Sequence, residues 1–247
     1  MSSRTSRASR ELGQNFLIDP QVPARVLELL DPRDGRPLVE LGAGGGALTG
    51  PLAATGHPVT AVELDPRWAA RLRGKWPRVR VVRCDMLRFR FPAGPFDVVG
   101  NLPYGLTTAM TRRLLDTPAW RRAVLLVQWD VARKRGVGGS MLNAQWAPWY
   151  EFRLHDRIPA RAFHPRPAVD GGLLRIDRRP GPVLPFAERG PFQDFVEAVF
   201  TGRGHGIGEI VRRNHGRVPR WLPAASLPRD LPPESWSRLY LELRRAS

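Results

Sequence analysis

The sequence predicts an α/β fold: an open, largely parallel sheet with helices on both faces, followed by a small helical domain. Three observations predict it. Short apolar runs alternate with helical patterns from residue 37 to residue 127, and that alternation builds doubly wound parallel sheets. The first run leads through a glycine-rich loop into a helix, VELGAGGGALTG at residues 39–50. Beyond Arg179-Pro180-Gly181-Pro182 the strand pattern stops and only helical patterns follow, which marks a linker.

The elements follow in order. Pro37 to Leu41 reads as a strand and Ala47 to Thr55 as a helix. Val59 to Glu63 is a strand, Pro66 to Trp76 a helix, and Val79 to Val82 and Phe96 to Val99 are strands. A helix over about Thr107 to Leu115 precedes the strand Ala123 to Val127. Glu151 to Ile158 and Gly171 to Asp177 look like strands with too little chain between them for a crossover helix, so they are expected as an antiparallel hairpin at a sheet edge. Phe192 to Phe200, Ile207 to Arg213 and Pro232 to Arg244 read as helices. The expected organisation is a disordered basic arm over residues 1–10, with Arg4, Arg7 and Arg10 and no acid, a sheet domain over 11–179 and a helical domain over 180–247.

Composition narrows the function. Lysine and arginine number 39 against 23 acids, giving +16, a field that suits a polyanionic partner, most simply nucleic acid. Only Lys75 and Lys134 are lysines. No apolar run approaches the roughly 18 to 20 residues that span a membrane, and no apolar stretch of signal-peptide type follows the basic N-terminus, so a cytoplasmic protein without a membrane partner is expected. A single cysteine, Cys84, excludes an internal disulfide framework and a cysteine-rich metal site, and no metal is expected.

Three consecutive strand ends carry ligand chemistry. Gly42, Gly44 and Gly46 satisfy E-x-G-x-G-x-G and also G-x-G-x-x-A, and they permit a tight turn and close approach of backbone to a ligand. Glu63 ends the second strand, where a carboxylate accepts from ribose hydroxyls. Asp85 ends the third, where it can accept from an exocyclic amine. A nicotinamide dinucleotide and S-adenosylmethionine both fit this pattern, but no histidine stands where a hydride-transferring enzyme needs one. The fourth strand favours S-adenosylmethionine, because it runs into Asn101-Leu102-Pro103-Tyr104.

An exocyclic nitrogen on a purine is a poor nucleophile, since its lone pair is delocalised. Acceptors on its hydrogens let it pyramidalise. The Asn101 side-chain oxygen is one candidate, and the Leu102 carbonyl, presented by the rigid Pro103, is another. Tyr104 offers a flat face for the base, worth roughly 1–3 kcal/mol, and catalysis is then mostly positioning. Phe163, in AFHPRPAVDGG, is the candidate for a second wall around a flipped base.

With GQNFLID, VELGAGGG, AVELD, CDML, GNLPYGLT and FHPRPAVDGGLL in this order, the chain resembles the S-adenosylmethionine-dependent rRNA adenine-N6 methyltransferases over roughly residues 11 to 215. LLVQWDVARKR, QWAPWYEF and FVEAVFTGRG look like the Erm macrolide-resistance enzymes of actinomycete type. The resemblance implies a Rossmann-like class I methyltransferase sheet with a helical C-terminal domain. It implies that Asn15 and Leu17 contact the methionine part of the cofactor, and that Gly42, Gly44, Glu63, Asp85 and Asn101 belong to the same site. The implied substrate is an adenine in the peptidyl-transferase loop of 23S rRNA, methylated so that macrolides, lincosamides and streptogramin B no longer bind, and the expected state is a monomer. Arg112, Arg113, Arg121, Arg122, Arg133, Lys134 and Arg135 follow the fourth and fifth strands and are expected to ring the crevice and hold phosphates. The competing readings are a small-subunit rRNA adenine dimethyltransferase and a non-enzymatic nucleic-acid-binding protein on the same fold. The second is disfavoured because Glu63, Asp85, Asn101 and Tyr104 are all present.

Overall fold

A computed structural model describes residues 15–244, and the basic arm expected at residues 1–10 lies outside the described residues. Phe16–Leu17 form β1, and the helix α1 follows over Gln21–Leu30. The sequence reading assigns no element there. Pro23 lies in the first turn, where a missing N–H costs nothing, and Val22, Val26, Leu29 and Leu30 form the buried face.

The expected alternation is present: β2 (Leu38–Leu41), α2 (Thr49–Ala54), β3 (Val59–Glu63), α3 (Pro66–Lys75), β4 (Arg80–Arg83), β5 (Phe96–Asn101), α4 (Thr107–Asp116) and β6 (Trp120–Gln128). β2 is buried along its whole length and β5 along all but its last residue, which is why both read as continuous apolar runs. α3 starts where Asp65 accepts hydrogen bonds from the N–H groups of Arg67 and Trp68 at 2.7 and 3.3 Å, with Pro66 next in line, a well-matched helix start. Two helices, α5 (Trp129–Gly136) and α6 (Met141–Trp146), occupy a stretch to which the sequence reading assigns no element. β7 (Tyr150–Ile158), β8 (Phe163–His164) and β9 (Gly171–Arg178) follow, then α7 (Arg189–Phe200), α8 (Ile207–His215) and α9 (Ser235–Arg244).

The seven-stranded sheet has the order β4-β3-β2-β5-β6-β9-β7. β2 pairs in parallel with β3 on one side and with β5 on the other, and β5 pairs in parallel with β6. The order therefore reverses between β2 and β5, and the carboxyl ends of that pair open a crevice. β9 and β7 are neighbours at the edge beyond β6. β8 stands outside this sheet and pairs antiparallel with β1, placing Phe163 opposite Leu17.

The described residues form two compact units. One runs up to Ala132 and includes Leu154–Ile176; the other comprises Arg133–Arg153 and the residues from Asp177 onward. The sequence reading puts its single boundary at 179/180 and so assigns 133–153 to the sheet domain. Those residues pack instead with the C-terminal helices, because their aromatic side chains belong to that core. Trp149 meets Phe192 at 5.8 Å, and Phe192 meets Tyr240 at 5.3 Å. The Trp149 indole N–H also donates to the Leu184 carbonyl at 2.9 Å. Among the described residues, no helix is long and apolar enough to cross a membrane.

Candidate active site

A cavity of about 340 Å³ lies at the carboxyl ends of β2, β3 and β5, and Asn15, Leu17, Gly42, Gly44, Glu63, Asp85, Asn101, Leu102 and Tyr104 all line it. Gly42 turns the chain out of β2 with φ +70°, and a Cβ there would sit 3.0 Å from the Met86 methyl. Glu63 is buried, and its two carboxylate oxygens accept from the N–H groups of Gly44 and Asp65 at 2.6 and 2.8 Å. Each oxygen keeps a further lone pair. Asp85 accepts from the Leu87 N–H at 2.8 Å through one oxygen. Leu64, 47% exposed, supplies an apolar surface at the same cavity.

The Asn101 side chain is oriented by a definite partner. Its amide nitrogen donates to the Asn15 carbonyl at 2.8 Å. A carbonyl partner demands a donor, so the amide oxygen is the atom left for a ligand's hydrogens. The Leu102 N–H donates to the Leu126 carbonyl at 3.0 Å, which fixes the Asn101–Leu102 peptide. Tyr104 lines the cavity with its hydroxyl buried and, among the described residues, without a hydrogen-bond partner. Burial raises the pKa of that hydroxyl, and the nearby Asp170 carboxylate raises it further.

Phe16, Glu40, Leu64 and Met86 are among the cavity residues that the sequence assignment does not include. Phe16, Leu64 and Met86 each adjoin an assigned residue, and Glu40 is the first letter of the glycine motif itself. Glu40 is buried and accepts from the Thr49 hydroxyl at 2.5 Å. Burial, helped by the neighbouring Glu63 charge, pushes its pKa from 4.5 to about 8. It is therefore a neutral hydrogen-bonding group at pH 7, whereas the motif alone reads as an acid.

Phe163 corrects the sequence reading. It is 2% exposed, packs in the core with Leu17, Leu126 and Leu173, and does not line the cavity. Its direction is set by the β1–β8 pairing, a contact between distant segments that the local sequence does not reveal.

The family model for ribosomal RNA adenine dimethylases matches residues 5–222. The chain belongs to this family. An rRNA adenine N-6-methyltransferase from Corynebacterium diphtheriae is 50% identical over 207 residues, covering 82% of this chain and 81% of that one. Mycinamicin-resistance protein MyrB from Micromonospora griseorubida is 48% identical over 240 residues, 93% of this chain and 77% of that one. The crystal structure of 23S rRNA methyltransferase ErmE matches with a TM-score of 0.84 at 33% identity, over 93% of this chain and 100% of that one. The resemblance read from the motifs is thus borne out, as is the Rossmann-like α/β methyltransferase fold.

A methyltransferase of this family needs a basic surface for RNA, and the structure sorts the seven candidates. Arg113 is structural: its guanidinium donates to the Leu87 and Phe89 carbonyls and lies 5.5 Å from the Phe91 ring centre. Arg122 donates to the Leu30 carbonyl at 2.8 Å and pairs with Asp31. Arg121 is exposed but stands at the start of β6, next to the residue paired with Phe96, whereas Asn101 pairs with Leu126. That separates Arg121 from the cavity end by roughly 15–20 Å of strand. The helix α4 returns the chain to the amino end of the parallel strand β6, so Arg121 and Arg122 enter the sheet opposite the crevice although they follow the fourth strand in sequence. Arg135 donates to the Ser140 hydroxyl at 2.8 Å. Arg112, Arg133 and Lys134 are exposed.

Two outcomes test these assignments. Arg113→Ala, which strips partners from two carbonyls, is expected to lower stability by about 2 kcal/mol, and Arg112→Ala to stay within about 0.5 kcal/mol; thermal melts distinguish them. Between 4.5 and about 8, folded Glu40 holds a proton that the unfolded chain has released. Its contribution to stability is therefore complete below this window, falls as pH rises through it and is lost above it. The melting temperature of Glu40→Gln relative to the parent is expected to rise across the same window and then level off. A constant difference would show that Glu40 is ionised throughout.

Proposed function

We propose that this protein transfers a methyl group from S-adenosylmethionine to N6 of an adenine in the peptidyl-transferase loop of 23S rRNA, and so confers resistance to macrolides, lincosamides and streptogramin B. The observation that carries the proposal is the Asn101-Leu102-Pro103-Tyr104 corner, which lines one cavity with the glycine loop, Glu63 and Asp85. Similarity to a 23S rRNA methyltransferase and to a mycinamicin-resistance protein supports the choice of RNA and a role in drug resistance. The protein acts in the cytoplasm as a monomer.

The cavity's donor and acceptor set fits the cofactor. Glu63 has lone pairs for ribose hydroxyls, Asp85 has an oxygen for an exocyclic amine, and Leu64 and Met86 bring apolar surface for a purine. Asn15 and Leu17, on the segment held by β8, close the side assigned to the methionine part. When bound, S-adenosylmethionine supplies an electrophilic methyl group. Asn101, held by Asn15, turns its oxygen toward the adenine amine, and the Leu102 carbonyl takes the second hydrogen. These contacts strengthen as positive charge develops on the nitrogen, so they favour the transition state over the ground state. Tyr104 holds the base flat. Arg112, Arg133 and Lys134 contribute phosphate contacts.

Incubation with labelled S-adenosylmethionine and unmodified 23S rRNA, followed by primer extension, is expected to place the label on an adenine of the peptidyl-transferase loop. Label on small-subunit rRNA only, or none, overturns the proposal. Asn101→Ala is expected to lose about 100-fold or more in kcat while still binding S-adenosylmethionine. Tyr104→Ala is expected to lose roughly 5- to 150-fold, the value of one stacking contact, and Tyr104→Phe to lose far less, since the hydroxyl has no partner to forfeit.

A further inference from the structure

β5 and β6 run parallel with Leu126 opposite Asn101, so the chain leaving β6 emerges at the same end of the sheet as the Asn101–Tyr104 corner. The first residue out is Trp129. Its N–H donates to the Asp170 carbonyl at 2.9 Å. The Arg157 guanidinium lies over its indole, 5.3 Å from the ring centre. Arg157 Nε donates to Asp170 Oδ2 at 2.8 Å, and the Ala160 N–H donates to Oδ1 at 2.8 Å. The indole rests on a glycine: a Cβ at Gly172 would come within 3.1 Å of it. The Arg157 side chain is 60% exposed, and its terminal nitrogens make no other hydrogen bond among the described residues. The Asp170 carboxylate also raises the pKa of the Tyr104 hydroxyl, after the larger effect of burial.

An exposed ion pair contributes little to stability, yet this one holds a cation over an indole at the same end of the sheet as the Asn101–Tyr104 corner. Extruding a base leaves its neighbour without a stacking partner, and an arginine–aromatic stack is a sequence-tolerant surface that can replace it. We propose that Trp129 and Arg157 form the seat of the nucleotide flanking the target adenine. The flanking base lies against the guanidinium over the indole, the terminal guanidinium nitrogens meet its phosphate, and Asp170 is a positioning residue that holds the guanidinium over the ring. This rests on the methyltransferase reading above and names a part of the RNA contact that the catalytic corner does not supply.

The test uses the full chain and a stem–loop RNA of the 23S peptidyl-transferase loop, with 2-aminopurine replacing the nucleotide on either side of the target adenine. S-adenosylmethionine binding reports folding of each variant. Arg157→Gln and Trp129→Ala are expected to raise the RNA KM about tenfold, with most of the loss in KM rather than kcat. The fluorophore on one side is expected to be quenched by the parent and by Trp129→Phe, and to stay bright with Trp129→Ala. Arg157→Lys is expected to keep the salt dependence of binding but lose part of the quenching. Cofactor-binding variants with parental KM and parental quenching overturn the seat. If Trp129→Ala fails to bind cofactor, Arg157→Gln and Arg157→Lys decide the question by the same criteria. A parent that methylates no adenine overturns the catalytic reading instead, so the two failures are distinguishable.

Discussion

The parallel pairing of β2 with β5 is the constraint on which the site depends. It puts Leu41 opposite Gly100, so the glycine loop and the Asn101 corner leave the sheet side by side. Glycine makes that closeness possible. A Cβ on Gly100 would stand 3.1 Å from the Leu41 carbonyl and 3.0 Å from the Leu102 side chain, tighter than ordinary contact. With the two strand ends fixed, β3 delivers Glu63 into the loop, where its carboxylate holds the Gly44 N–H. The segment carrying Asn15 then closes on Asn101. Each step presents a partner that the previous step has already positioned, the order in which a rigid site assembles from flexible parts.

What the sequence revealed and what it concealed divide along the range of the interaction. Strands, the glycine turn and the acids at strand ends are local features, written in a few adjacent residues and in the period of the apolar pattern. The corner was legible because an amide, a proline and a phenol together have no turn-making purpose. Elements that rest on distant contacts were not legible. α5 buries only Ala132, so its charged stretch carries no helical face to read. Phe163 is expected in a proline-stiffened loop but lies in the short strand β8, and its ring follows from the pairing of β8 with β1, distant in sequence. Arg121 falls away from the crevice because α4 carries the chain back to the amino end of β6, a crossover that nearness to the fourth strand in sequence does not show.

The arginines show why a basic composition does not map onto a binding surface. Arg113, Arg122 and Arg135 each place a guanidinium against backbone carbonyls or a buried hydroxyl. With its fixed fork of donors and no acceptor, arginine suits that work, and a chain almost without lysine must use it both as a clamp and as a counter-charge to RNA. Sequence adjacency mixes the two uses: Arg112 and Arg113 are neighbours, yet one is exposed and the other braces the chain after Asp85. Net charge argues for the class of partner; the partner of each guanidinium decides which residues meet it.

The hydrogen bonds of the glycine loop also bear on which nucleotide the cavity suits. In a dinucleotide site the loop's N–H groups and the helix that follows attract a pyrophosphate. Here the Gly44 N–H is occupied by the Glu63 carboxylate at 2.6 Å, and Asp85 lines the same space. A pyrophosphate would lose that donor and face two carboxylates. A nucleoside without phosphates but with hydroxyl and amine donors meets acceptors throughout. Glu40 sharpens the distinction. Because it is held neutral by burial, the cavity's negative charge is confined to the two acids placed to accept from such donors. The same three letters, Glu, Gly and Asp at successive strand ends, serve both ligand classes in sequence; the direction of one backbone N–H favours the phosphate-free one.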